Sequence, residues 1–205
     1  PQGNYEALKQ CEAAGIQIVP ATGRGVGGIP PMIRELPGAN YAITTNGAVI
    51  ADLKTNKAIR TCGLSNEMVQ RILNIAKKYH SATDPFIDGR AITQPSSIDH
   101  MDEFGLSPQM QKLIRDTREV VPDVMEYVKT TGAQAEKINI FMADLEEREI
   151  LRRELMQCRS FYQSSMYNNL EVNAKGADKG SALLWLADHL GISREENNGL
   201  WRWGK

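Results

Sequence analysis

The stretch Ile16-Gln17-Ile18-Val19-Pro20-Ala21-Thr22-Gly23-Arg24 constrains the chain most. A short β-branched run ends abruptly in a hydroxyl, a glycine and a guanidinium. Strands buried between helices read as apolar runs rather than alternations, so residues 16–19 are expected to form one. Residues 4–14 before it have helical spacing, with Tyr5, Leu8, Cys11 and Glu12 in step, and Gly15 stands where a left-handed C-cap belongs. That is an α-then-β unit. In open α/β sheets ligands gather beyond the carboxyl ends of the strands, where Thr22, Gly23 and Arg24 fall. A hydroxyl, a residue that admits close backbone approach and a fixed positive charge suit a phosphate or a carboxylate. A strand-to-loop turn with a surface arginine is the competing reading.

With 205 residues, 41% of them hydrophobic, the chain has material for one large domain or two small ones. A net charge of -1 gives no general attraction to nucleic acid or an anionic membrane. No run approaches the ~18 apolar residues of a membrane span, and no signal-peptide pattern is read at the start. Cys11, Cys62 and Cys158 are far apart and fit reduced thiols in a cytoplasmic protein. His80, His100 and His189 share no metal-ligand spacing with each other or with the cysteines.

Residues 23–28 spell Gly-x-Gly-x-x-Gly directly after the expected strand. A dinucleotide site also wants an acid about 20 residues on, at the end of the next strand. That strand, 41–44, ends in Thr45-Asn46-Gly47 without one, so the pattern is set aside. A helix over 30–36 starts with prolines, which a first turn tolerates. Asn46-Gly47 is a tight-turn dipeptide; it leads into 48–52 and 57–61, a small antiparallel flap. Asn46 is either a turn residue only or an amide aimed at whatever Thr22 faces.

From Gly63 the texture changes. Ser65 is placed to cap a helix over 66–79, with Met68, Ile72, Ile75 and Ala76 on one face. A hairpin is expected around 86–90, helices over 107–118 and 146–157, and a strand over 160–167. Ile138, Ile140 and Met142 alternate in a half-buried strand over 136–142. Residues 63–166 read as an inserted second domain whose charges are solvated and which holds no catalytic cluster. A strand at 170–173 follows, then a loop, 174–180, into a helix over 181–190 ended by Gly191. Lys179 and Gly180 at that helix start run against the dipole preference and helix propensity. Local rules broken together often mark function; a solvent-exposed loop lysine is the plainer alternative.

Together, Ala21-Thr22-Gly23-Arg24, Thr45-Asn46-Gly47-Ala48, a long insertion and Asp178-Lys179-Gly180-Ser181-Ala182-Leu183 resemble the haloacid dehalogenase-like phosphatases of class IIB, the Cof type. The likeness spans residues 4–196 in the right order. It implies an α/β protein: a Rossmann-like core, residues 1–62 and 167–205, with an inserted α+β C2-type cap, 63–166. It implies Mg²⁺-dependent hydrolysis of small phosphomonoesters through an aspartyl-phosphate, with a phosphorylated metabolite as partner. By resemblance Thr22 binds the transferring phosphoryl group and Lys179 neutralises charge around it. Asn46 lies near the substrate phosphate in its Asn-Gly turn with Gly47, and Gly23 and Arg24 complete the threonine-glycine-arginine motif. Such chemistry is catalysed by positioning and by offsetting charge on equatorial oxygens, a task that suits a hydroxyl, an amide and an ammonium.

Two family motifs have no match. No Asp-x-Asp stands before Thr22, and no Gly-Asp-x-x-Asn-Asp follows the last helix, where Trp201-Arg202-Trp203-Gly204-Lys205 stands instead. Written as codons and shifted by one base, that tail can read Gly-Asp-Gly-Glu, the start of the family's metal motif, so a frameshifted C-terminus is expected. The first strand and the metal-motif strand of the core are then expected to be missing, which leaves residues 16–19 an open edge. The alternative function is that of a catalytically dead fragment that at most binds phosphorylated small molecules.

Overall fold

In a computed structural model of the chain, residues 2–36, 38–158, 161–163 and 166–197 are described; the frameshift reading of 201–205 lies outside them. Helix α1 (Gln2–Ala13) stops at Gly15, whose φ of 75° is left-handed. The Gly15 amide reaches Glu12 O (2.9 Å) and the Ile16 amide reaches Cys11 O (2.9 Å), the expected closure of a helix end. Beyond a single helical turn, α2 (Pro31–Arg34), come β1 (Tyr41–Thr44), β2 (Val49–Asp52) and β3 (Lys57–Thr61). These three pair antiparallel in the order β1-β2-β3.

Residues 16–19 correct the expectation of a strand. They run extended, but the only bridge formed there joins Ala21 to Ile43, parallel. Ile43 N donates to Pro20 O (2.8 Å) and Thr22 N to Ile43 O (2.9 Å), so the end of the segment leans on β1. Pro20 has no N–H to give, and Ile18 N turns to Gly38 O instead (3.1 Å). Ile16 is 55% exposed.

The chain then builds a second sheet. Helix α3 (Asn66–Ala76) is capped by Ser65, whose hydroxyl accepts from Met68 N (3.3 Å). The hairpin β4 (Ser81–Ile87) and β5 (Arg90–Thr93) turns at Asp88 and Gly89. After it come α4 (Pro95–Asp99), α5 (Pro108–Thr117), β6 (Arg118–Val120) and α6 (Val124–Thr131). Then follow β7 (Lys137–Met142), α7 (Leu145–Met156), β8 (Phe161–Gln163), β9 (Asn169–Asn173) and α8 (Lys179–His189). The sheet order is β6-β5-β4-β7-β9-β8, with β5–β6 the parallel pair. β9 lies between β7 and β8, so this sheet extends through Asn173, past the boundary expected at 166.

The two faces of the sheet differ. Ile138, Ile140 and Met142 of β7 and Leu170 and Val172 of β9 pack against Val69 and Ile72 of α3, Val128 of α6 and Leu151 and Leu155 of α7. On the other face Ala82 and Phe141 meet Met101, Phe104 and Ile114, an apolar patch at one end. The remainder of that face is polar and also buried: Asp84, Lys137, Asn139, Glu171 and Asn173 are each at most 7% exposed. Hence β7 is buried along all six residues rather than half-buried, and the charges there are not the solvated face expected. The loop between β1 and β2 covers the Glu171 and Asn173 end of that face, and Arg118 lies on Asp84. The three-stranded sheet has its own smaller core, where Ile43 and Ile50 pack on Ala182 and Leu186 of α8. Among the described residues no helix is long and apolar enough to cross a membrane.

Candidate functional site

Between β1 and β2 the backbone makes a 3-10 turn, Thr45–Gly47, with three successive positive φ values of 51°, 64° and 105°. Asparagine tolerates the left-handed region and glycine favours it, but threonine does not. Three backbone bonds hold the threonine there: Thr45 N donates to Arg24 O (2.9 Å), Asn46 N to Thr22 O (3.1 Å) and Ala48 N to Thr45 O (3.1 Å). The loop at 22–24 and the turn at 45–47 are therefore one stitched unit. Gly23 packs closely at the contact: a Cβ there would lie 2.5 Å from Asn46 Oδ1 and would push that side chain aside.

The third segment arrives from the far end of the chain. A Cβ on Gly47 would lie 2.3 Å from the carbonyl carbon and oxygen of Asp178 and 2.7 Å from Lys179 N. Asp178 is the N-cap of α8: Ser181 N donates to its Oδ1 (2.8 Å) and Ser181 Oγ to its Oδ2 (2.7 Å). Burial pushes this carboxyl up, but bonds from the Ser181 amide and hydroxyl and from the Gly180 amide outweigh that and hold it below the usual range. Lys179 is the first residue of α8 rather than part of a loop, and it is half-buried. The structure thus brings Thr22, Gly23, Arg24, Asn46 and Gly47 together and sets Gly47 against Lys179. Thr22 Oγ1 accepts from Arg24 N (3.1 Å), which leaves its own O–H to donate.

Sequence reasoning missed the groups that close over this unit. Thr45 Oγ1 donates to Glu136 Oε2 (2.9 Å), and Gly89 N donates to Glu136 Oε1 (2.7 Å). Asn46 Nδ2 donates to Glu171 Oε2 (2.5 Å) and to Asn173 Oδ1 (3.3 Å). Asn173 Nδ2 reaches Thr45 O and Glu136 O, each at 3.4 Å. Lys137 Nζ lies 3.5 Å from Glu171 Oε2 and 4.6 Å from the Phe86 ring centroid. On the same face Arg118 Nε pairs with Asp84 Oδ2 (3.0 Å). One signal was available: Lys137 and Glu171 are opposite charges on two alternating strands, the pattern of cross-strand partners.

Burial is the largest influence on two of these groups. It pushes the Glu136 carboxyl up, against the Thr45 hydroxyl and the Gly89 amide, which pull it down. It pushes the Lys137 ammonium down, against the attraction of Glu171. A carboxyl with a raised folded pKa contributes stability that is fully present below its unfolded value and lost as pH rises through the folded one. Glu136→Gln should therefore gain on the parent protein in urea midpoint as pH is raised from about 4 to 7. A midpoint difference constant with pH would contradict that assignment.

His80 Nε2 (2.8 Å) and His100 Nδ1 (2.7 Å) meet on the two oxygens of Glu103. Even so, among the described residues no three His, Cys, Asp or Glu side chains are disposed to hold a metal ion.

Against known proteins, the profile of haloacid dehalogenase-like hydrolases matches residues 1–197. The chain belongs to that family. Its mixed α/β architecture is the Rossmann-like core of this haloacid dehalogenase-like family with a cap. A haloacid dehalogenase-like hydrolase from B. subtilis has the same fold, with a TM-score of 0.75, 21% identity, and coverage of 93% of this chain and 72% of that one. One from Bacteroides thetaiotaomicron gives 0.72 and 23%, covering 96% and 72%. The subclass IIB sugar phosphatase BT4131 gives 0.72 and 20%, covering 96% and 71%.

Proposed function

We propose that the unit formed by residues 22–24, 45–47 and 178–179 binds the phosphoryl group of a small phosphorylated metabolite, the substrate class of a Cof-type phosphomonoester hydrolase. The observation that carries this reading is the convergence of the three segments. The 22–24 loop is bonded to the 45–47 turn through backbone, and Gly47 abuts Asp178 and Lys179. In this reading Thr22 donates its hydroxyl to a phosphoryl oxygen, Lys179 offsets developing charge, and Arg24 supplies further positive charge at the exposed rim. Gly23 and Gly47 permit the close approaches. The six-stranded sheet acts as the cap over this unit, and its polar face selects the rest of the ligand. The free thiols Cys11, Cys62 and Cys158 agree with a cytoplasmic setting.

The family implies Mg²⁺, but the described residues do not fit it. Asp178 serves as the N-cap of α8, accepting from Ser181 at both oxygens, and no three potential ligands converge among the described residues. No Asp-x-Asp stands before Thr22 to supply a carboxylate nucleophile. The reading for these 205 residues is phosphoryl binding.

Isothermal titration with inorganic phosphate tests this. Thr22→Ala and Lys179→Ala should each weaken binding by about tenfold, as loss of a charge-assisted bond does. Phosphate affinity indifferent to both substitutions would refute the site. Turnover of an aryl phosphate with Mg²⁺ that is abolished by either substitution would show that the chain is itself catalytic.

A further inference from the structure

The oxygen Glu171 Oε2 occupies an unusual position. It accepts from Asn46 Nδ2 at 2.5 Å and lies 3.5 Å from Lys137 Nζ. All three residues are buried, at 3%, 3% and 7% exposure for Asn46, Lys137 and Glu171. An amide donor and an ammonium directed at one anionic oxygen make an anion hole, and the chain fills it with a side chain of its own.

Two features bear on what else that hole can hold. Asn46 belongs to the turn that is bonded to Thr22 and Arg24, so its amide stands at the edge of the phosphoryl-binding unit. Its Nδ2 is engaged by Glu171 and by Asn173 Oδ1 (3.3 Å), and a primary amide has two protons to give. In this arrangement Asn46 has none left for a ligand. Lys137 depends on a counter-charge, because an ammonium buried without a partner is strongly disfavoured. Exchanging the carboxylate oxygen for a phosphoryl oxygen keeps that charge offset, whereas emptying the hole does not.

We propose that Asn46 Nδ2 and Lys137 Nζ form an anion hole held in this structure by Glu171, and that a ligand's phosphoryl oxygen binds by displacing that carboxylate. This rests on the phosphoryl-binding reading above and adds Lys137 to the groups that contact the ligand. Glu171 is then a competitor of the ligand rather than a contact to it, and binding loosens the clasp between the 45–47 turn and the six-stranded sheet.

The direction of one mutational effect separates these roles. Glu171→Gln keeps the shape but loses the charge, and hydrogen bonds to ionised acceptors are roughly twice as strong as neutral ones. In isothermal titration of the full chain with inorganic phosphate, Glu171→Gln should bind about fivefold or more tightly than the parent protein. Glu171→Asp, one methylene short of the hole, should bind more tightly by a smaller factor, and serves if the glutamine variant does not fold. Lys137→Met in the Glu171→Gln background should abolish the gain. Glu67→Gln, an exposed charge on α3, should leave phosphate affinity unchanged and so excludes a general charge effect. Equal or weaker phosphate binding by folded Glu171→Gln, with the parent still binding, would overturn the proposal and leave the phosphoryl reading standing. Absence of phosphate binding in both proteins would overturn both.

Discussion

Gly47→Ala is expected to dismantle the site and to destabilise the three-stranded sheet by roughly 3 kcal/mol or more. Two effects add. The residue has a φ of 105°, outside the region open to alanine, and the new Cβ would fall 2.3 Å from the carbonyl group of Asp178. That carbonyl accepts from Ala182 N (3.0 Å) and is part of the first turn of α8, so it cannot retreat without loosening the helix. Gly89→Ala is the matched control. Its φ of 74° is also left-handed, but nothing lies within 4 Å of the added carbon. It should cost only the backbone strain, about 1–2 kcal/mol. Urea denaturation of both variants measures the difference. A Gly47→Ala protein as stable as Gly89→Ala would mean that the 45–47 turn does not sit against Asp178 and Lys179.

The second large effect is on the polar face of the six-stranded sheet. Arg118 and Asp84 pair there with side chains 12% and 3% exposed, and Arg118 lies 5.5 Å from the Phe86 ring centroid. Arg118→Ala leaves the Asp84 carboxylate buried without its partner, which is expected to cost about 3–5 kcal/mol. Replacing both, Asp84→Asn with Arg118→Met, removes the stranded charge and should recover much of the loss, because buried pairs stabilise little against neutral residues of similar volume. Thermal or urea unfolding at neutral pH distinguishes the two. A loss below about 1 kcal/mol for Arg118→Ala would place the pair in solvent, as for an ordinary surface bridge.

The three segments of the candidate site were legible as a turn, a loop and a helix start because their signals are local. Asn46-Gly47 announces a left-handed turn whatever surrounds it, and Lys179-Gly180 marks a helix start that breaks two propensity rules. Ser65 and Gly15 did what their positions promised. An apolar run such as 16–19 says nothing about pairing; Pro20 and the turn of Ile18 toward Gly38 decide that here. Helices α4 and α6 went unnoticed, five and eight residues long. The buried charges were illegible for a different reason. Lys137 and Asn139 alternate with Ile138, Ile140 and Met142, which is the pattern of a strand with one wet face. The 45–47 turn closes over part of that face, with Thr45 bonded to Glu136 across 91 residues and Asn46 to Glu171 across 125. No local pattern reports a contact of that range. β9 fell beyond the expected boundary for the same reason, since its partner strands rather than its own residues assign it to a sheet.

The most direct test of the central claim is an amide-shift titration of the isotope-labelled chain with inorganic phosphate. Saturable shifts are expected at residues 22–24, 45–47 and 179–180, three regions far apart in sequence and moving with one affinity. Shifts confined elsewhere, for instance to the groove lined by Arg71 and Lys78 between α3 and α7, would contradict it.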